Sequence, residues 1–228
     1  MDWYSLMSVI DYVDEIMVWD TGSTDRTVEI VKSITSPKIK YRERLSPDPL
    51  EMTKARQEML DETNADWLMI LDGDEIWPEK SIKAVIDQVR MNNNHNYLVN
   101  PYYQLLGDIY HKQEELAGKY RIGPRIGHIT IRFINLNKTL GLHYQRGYPD
   151  EALLNSDGVP LQNIDPNLTS FVSEPYLHAS HLRRTSLSRP NTISGSHRVK
   201  YEWGTKIPDD FEYPKCFYLP RPEIVPSP

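Results

Sequence analysis

The stretch WLMILDGDEIW, residues 67–77, runs five apolar residues into Asp72, Asp74 and Glu75. Carboxylates this close repel, so each ionises less readily unless a cation or solvent offsets the charge. A solvated turn after a core strand would serve, since Asp and Gly are common turn residues. A metal site would serve as well. The D-x-D of Asp72, Gly73 and Asp74 offers hard oxygen donors suited to Mg2+ or Mn2+, and such an ion could bridge the phosphates of a nucleotide. A second apolar run, DEIMVWD (14–20), also ends in acid, and DTGSTDRT (20–27) follows it. There Asp20 could accept hydrogen bonds from a base or ribose, and Gly22 permits a tight turn. Ser23 opens a helix whose N-terminus favours anions.

Other residues have chemistry without a fixed place. KARQE (54–58) puts Lys54 and Arg56 on the helix leading into the D-x-D strand. Lys54 reads as a solvated cation, and Arg56 is a candidate phosphate contact. YLHASHLRR (176–184) carries His178 and His181, which would face one way on a helix and opposite ways on a strand. Either could complete the shell of an ion held by carboxylates, and Arg183 and Arg184 could meet a diphosphate. YPDEAL (148–153) supplies Asp150 and Glu151. A sugar hydroxyl attacking an anomeric carbon needs one such base within hydrogen-bond reach. Tyr102, Tyr103, Tyr110 and Tyr148 could stack on a sugar, a role that strand tyrosines take less often than packing.

The elements that must position these residues alternate over the first 92 positions. Strand-like runs at 14–20, 38–43 and 67–71 are separated by helical patterns. One helix follows Ser23, one carries the stripe Met52, Ala55 and Met59, and one starts at Pro78 with Ile82, Val85, Ile86 and Val89 on one face. This βαβαβα order predicts an α/β fold with a mainly parallel sheet flanked by helices. In such sheets ligands bind at the carboxyl ends of strands, which is where Asp20 and the D-x-D fall. Residues 93–207 look antiparallel and loop-rich, with strands at 96–104 and 128–136. Six prolines in the last 21 residues, 208–228, exclude a long helix and predict a strap lying on the body. We expect 1–92 and 93–207 to be two halves of one domain.

At 228 residues, 39% hydrophobic and 25% charged, the composition is that of an ordinary globular protein. A net charge of −6 with no dense basic run gives no footprint for nucleic acid. No apolar stretch approaches the roughly 20 residues of a transmembrane helix, and the start lacks the pattern of a signal peptide. A single cysteine, Cys216, fits a reducing compartment, so a cytoplasmic location is expected and the sequons at Asn137 and Asn167 are read as chance.

DEIMVWDTGSTDRTVEIV followed by KARQEMLDETNADWLMILDGDEIW resembles the family 2 glycosyltransferases of GT-A fold. The resemblance is to the subgroup whose strand ends in D-T-G-S-T-D-x-T and whose D-x-D strand follows an A-R-N-like helix, read here as Ala55-Arg56-Gln57. The resemblance implies inverting transfer of a sugar from a nucleoside diphosphate donor, dependent on Mn2+ or Mg2+. The acceptor would be a glycan, a lipid-linked group or a protein. By it, Asp20 would hold the base or ribose, Asp72 the ribose and metal region, and Asp74 the metal. Relatives often place a His-Glu pair after an R-L-F strand. Here IRF (131–133) stands for that strand, Glu151 matches the acid, and Asp150 stands where the histidine would be. A histidine that often completes the metal site points to His178 and His181. Relatives begin with a strand of the type V-I-I-P-x-Y-N-E-E, whereas this sequence opens in the following helix, so the sheet is expected to lack that strand. Its exposed edges would favour pairing between copies. Two other readings stand beside this one. One is a non-catalytic relative that binds a nucleotide or a partner. The other is a phosphatase using Asp72 as nucleophile, disfavoured because Glu75-Ile76-Trp77 replaces the small pair expected after its second Asp.

Overall fold

The computed structural model describes residues 1–45, 49–91, 94–147, 150–182 and 204–228; Tyr148, Arg183 and Arg184 lie outside them. The first half alternates as its periodicity predicts. In chain order come α1 (Asp2–Val9), β1 (Ile16–Asp20), α2 (Thr27–Lys32), β2 (Ile39–Glu43), α3 (Pro49–Glu62), β3 (Trp67–Met69), β4 (Glu75–Ile76) and α4 (Glu79–Met91). Pro78 immediately precedes α4, and the helix buries Ile82 and Val85 completely. Strands then dominate. They are β5 (Tyr97–Leu106), β6 (Asp108–Lys112), β7 (Tyr120–Ile122), β8 (Arg125–Gly127), β9 (Ile129–Asn135), β10 (His143–Gln145), β11 (Ala152–Leu154), β12 (Thr169–Phe171), β13 (Tyr176–His178) and β14 (Thr205–Lys206).

The pairing is more divided than the element order alone suggests. β1 and β2 pair in parallel, from Ile16 opposite Ile39 to Asp20 opposite Glu43, and form a two-stranded sheet of their own. β3 instead runs antiparallel to β9 in a mixed eight-stranded sheet. β5 is its hub, antiparallel to β6 and β9 and parallel to β12 and β13. β13 also pairs antiparallel with β4, which brings His178 opposite Glu75. Among the described residues of the first half, then, parallel pairing is confined to β1 and β2. With β2 as its one strand neighbour among the described residues, β1 leaves Ile16 to Trp19 half-buried. Arg42 lies over the Trp19 ring, 4.3 Å from its centre.

Alternation along β5 sorts the core. Leu98 packs with Trp77, Ile82, Val85, Phe133 and Tyr176 on the α4 side. Tyr97 and Val99 pack with Ile129, Ile134 and Leu161 in a second cluster. A third cluster joins Trp3 and Tyr4 of α1 to Leu105, Leu177 and the late residues Ile207, Cys216 and Val225. The Tyr4 hydroxyl donates to the Pro226 carbonyl at 2.7 Å, fastening the last residues to α1.

Candidate active site

The turn that follows β3 is shaped from beneath by α1. Ser5 Oγ donates to the Asp72 carbonyl at 3.0 Å, and the Glu75 amide donates to the same carbonyl at 3.0 Å. A Cβ on Gly73 would lie 2.3 Å from Asp2 Oδ1, so a larger residue there would have to push the Asp2 carboxylate aside. Thr27 Oγ1 reaches the other oxygen of Asp2 at 3.5 Å. The first turn of α1 therefore bridges the D-x-D turn and the start of α2, where the D-T-G-S-T-D loop ends.

A cation from β9 organises the acids. Arg132 donates through Nε to Glu75 Oε1 at 2.8 Å and through Nη2 to Asp72 Oδ2 at 2.7 Å. The Tyr176 hydroxyl donates to the same Glu75 oxygen at 2.8 Å, and Trp77 stacks on Tyr176 with ring centres 4.4 Å apart. Glu75 is fully buried. Burial pushes its carboxyl up to about 7, against the pull of Arg132. At Asp72 burial also pushes upward, but Arg132 and Arg56 outweigh it and leave the carboxyl below its ordinary value. Of three adjacent acids, one is thus held ionised and one is drawn toward the neutral form.

A second arginine carries the network into the later half. Arg56 of α3 has Nη2 3.6 Å from Asp72 Oδ1, and its Nη1 donates to Glu151 Oε2 at 2.9 Å. Gln57, the next residue, accepts from the Tyr144 amide at 2.8 Å and ties β10 to α3. That contact carries the β10–β11 segment, with Glu151 just before β11, to the helix. The Glu151 side chain is 10% exposed, and its Oε1 is buried without a hydrogen-bond partner among the described residues. Asp150 points to solvent, so the two neighbouring acids part company.

Asp74 is turned the other way. Its Oδ2 lies 3.7 Å from His178 Nε2, and the Ala179 amide donates to the Asp74 carbonyl at 2.8 Å. Tyr102 meets the His178 ring edge-on at 5.1 Å, and Gln104 donates to the His178 carbonyl at 3.1 Å. One carboxylate and one imidazole at this separation fit a divalent ion that takes its remaining ligands from phosphate and water. No three His, Cys, Asp or Glu among the described residues gather into a cluster that could hold a metal unaided. Asp72 directs both oxygens to arginines. His181 sits in the turn beyond β13 and completes no such cluster. Because Tyr176–His178 is a strand, the two histidines are not held on one helical face.

At the end of β1, Asp20 is 8% exposed and accepts from the Gly22 amide at 3.0 Å and the Ser23 amide at 3.1 Å. Gly22 has φ +112°, a conformation that favours glycine. Asp20 therefore folds its own loop. Of the tyrosines, Tyr102 is buried in the core, Tyr103 packs on Phe211, and Tyr110 is exposed beside Tyr213. Lys54 pairs with Glu51 on the exposed face of α3.

Arg132 and Tyr176 carry contacts that sequence reading did not assign. HITIRFINL does contain a signal, a lone cation inside an alternating apolar strand, but its partners Asp72 and Glu75 lie about 60 positions earlier.

Residues 3–153 match the model of the family described as Glycosyl transferase family 2. The chain belongs to this family, and the α/β architecture is of the GT-A type. Comparison with curated proteins gives no match. No helix among the described residues is long and apolar enough to cross a membrane.

Proposed function

We propose that the protein is a metal-dependent, inverting glycosyltransferase that moves a sugar from a nucleoside diphosphate sugar to an acceptor hydroxyl. The observation that carries the reading is the convergence of Asp72, Arg56 and Glu151 beside the D-x-D turn, in a chain of family 2. Asp20, Gly22 and Ser23 form the loop that takes the nucleoside, Asp20 holding the loop shape through its amides. Arg56 meets the diphosphate, and Gly73 keeps the D-x-D backbone close enough for Asp72 to face the ribose region. Asp74 and His178 would hold Mn2+ or Mg2+, which when bound neutralises charge on the departing diphosphate. His181, in the adjoining turn, is the alternative donor.

Glu151 is the base. The acceptor oxygen forms a bond to the anomeric carbon while the bond to the diphosphate oxygen breaks. The electron pair leaves with the nucleoside diphosphate, and the hydroxyl proton passes to Glu151. Attack opposite the leaving group inverts the anomeric centre. Positioning and electrostatics carry most of the rate. Asp150, exposed beside Glu151, faces the acceptor side. The single buried cysteine suits a reducing, cytoplasmic setting.

One observation favours a second reading, a relative that binds nucleotide without transferring sugar: the β1–β2 pair that shapes the Asp20 loop is not hydrogen-bonded to the main sheet among the described residues. The Asp74→Asn variant tests the first reading. It should lose Mn2+-dependent binding of UDP or GDP at least tenfold while its circular dichroism stays native; unchanged binding would sink the metal assignment.

A further inference from the structure

Arg56 and Glu151 are 95 residues apart in sequence and meet across the site, Nη1 to Oε2 at 2.9 Å. The partners are unequal. Glu151 is 10% exposed, with one oxygen lacking a hydrogen bond among the described residues, whereas Arg56 is 34% exposed. Asp72 does not depend on Arg56, because Arg132 donates to its other oxygen at 2.7 Å. The guanidinium can therefore swing away and leave only Glu151 without its cation.

We propose that Arg56 is a positioning residue that changes partners: it covers Glu151 in the ligand-free protein and is drawn off by the arriving diphosphate, which uncovers the base. The proposal rests on the donor-site reading above. While Arg56 Nη1 donates to Glu151 Oε2, the guanidinium occupies the place from which an acceptor hydroxyl would donate to that oxygen. A diphosphate carries more than one negative charge and offers the paired oxygens that a guanidinium fork matches, so it outcompetes a single carboxylate. The base is then exposed to an acceptor only when a donor is in place. Coupling of this kind is reciprocal. Whatever holds Arg56 on Glu151 weakens diphosphate binding, and loosening that hold strengthens it.

The test is calorimetric titration of UDP and GDP, with Mn2+, into the wild type and four variants. Glu151→Gln removes the charge, and Glu151→Asp keeps it but shortens the reach by one methylene. Arg56→Gln removes the fork, and the fourth variant combines Arg56→Gln with Glu151→Gln. For the nucleotide that the wild type takes, both Glu151 single variants should bind about five- to tenfold tighter, as expected when a competing partner stops occupying the binding-competent group. Arg56→Gln should bind about tenfold weaker, and adding Glu151→Gln to it should change nothing further. Unchanged or weaker binding in both single Glu151 variants overturns the proposal. So does equal tightening by Glu151→Gln with and without Arg56, which would mean bulk charge alone. A wild type that binds neither nucleotide overturns the donor-site reading and this inference with it. Tight wild-type binding without the coupling overturns this inference alone. Glu151→Asp, which retains the charge, keeps the test decisive should Glu151→Gln fold poorly.

Discussion

Glu75 joins buried apolar structure to the acidic turn, and its chemistry follows from that position. It is fully buried between Arg132 and Tyr176, and burial lifts its carboxyl from an ordinary 4.5 to about 7. Between those values the folded protein holds a proton that the unfolded chain has released. Folding stability contributed by this group is therefore present at low pH and falls as pH rises through the window from 4.5 to about 7. Asp72, with its carboxyl held low by the arginines, acts in the opposite sense: its contribution is present above the ordinary carboxylate range and is lost on acidification. Glu75→Gln removes the first dependence and keeps the shape. Melting of metal-free protein in EDTA should show the variant gaining on the wild type from pH 5 to pH 8. Parallel curves would contradict the assignment. The acids of the D-x-D and Glu151 were legible from sequence as residue types after strands or in a loop. Arg56 was legible as a cation on the helix before the D-x-D strand, but its pairing with Glu151 was not. Arg132 was missed altogether, because these contacts form only when distant strands and a helix close together.

Element boundaries in the first 92 residues follow local periodicity, so α4 and the strand runs could be read directly. Pairing could not. β3 takes β9 as its neighbour, a partner more than 60 positions away, and nothing in WLMIL specifies an antiparallel one. β12 and β13 are three residues each, too short to show a period, yet β13 brings His178 beside Asp74 and opposite Glu75. The two-stranded β1–β2 unit has a testable consequence. Its β1 residues Ile16 to Trp19 are half-buried, and among the described residues it has no strand neighbour on its outer sides, whereas β5 is paired on both. Amide hydrogen exchange should therefore run at least about tenfold faster in β1 and β2 than in β5 and β9, where opening requires disruption of the shared core. Equal protection would show that the pair opens only with the whole molecule. Mn2+ with the bound nucleotide should slow exchange at Gly22 and Ser23, since their amides shape the proposed nucleoside loop.

At the scale of the whole molecule, the two ends of the described chain close on each other. Tyr4 bonds Pro226, and the single cysteine, Cys216, is 2% exposed against α1, its thiol pushed up to about 12 by burial. A thiol so placed is neither reachable nor ionised at neutral pH. Labelling by a disulfide reagent at pH 8 should track unfolding in urea, and rapid labelling of native protein would contradict the docking of the last residues. The same closure sets α1 under the D-x-D turn, so the site depends on contacts from both ends of the chain. Family membership was legible from two stretches within the first 92 residues, because they carry their motifs contiguously; the assembly of the site was not, because it draws on α1, α3, β9, the segment before β11, and β13. The central claim is that this assembly binds a nucleoside diphosphate with a divalent ion. Calorimetric titration of the wild-type protein with UDP and GDP, with and without Mn2+, tests it most directly. Saturable binding of one nucleotide that requires Mn2+ is the predicted result, and absence of binding to either, with the metal present, would contradict the account.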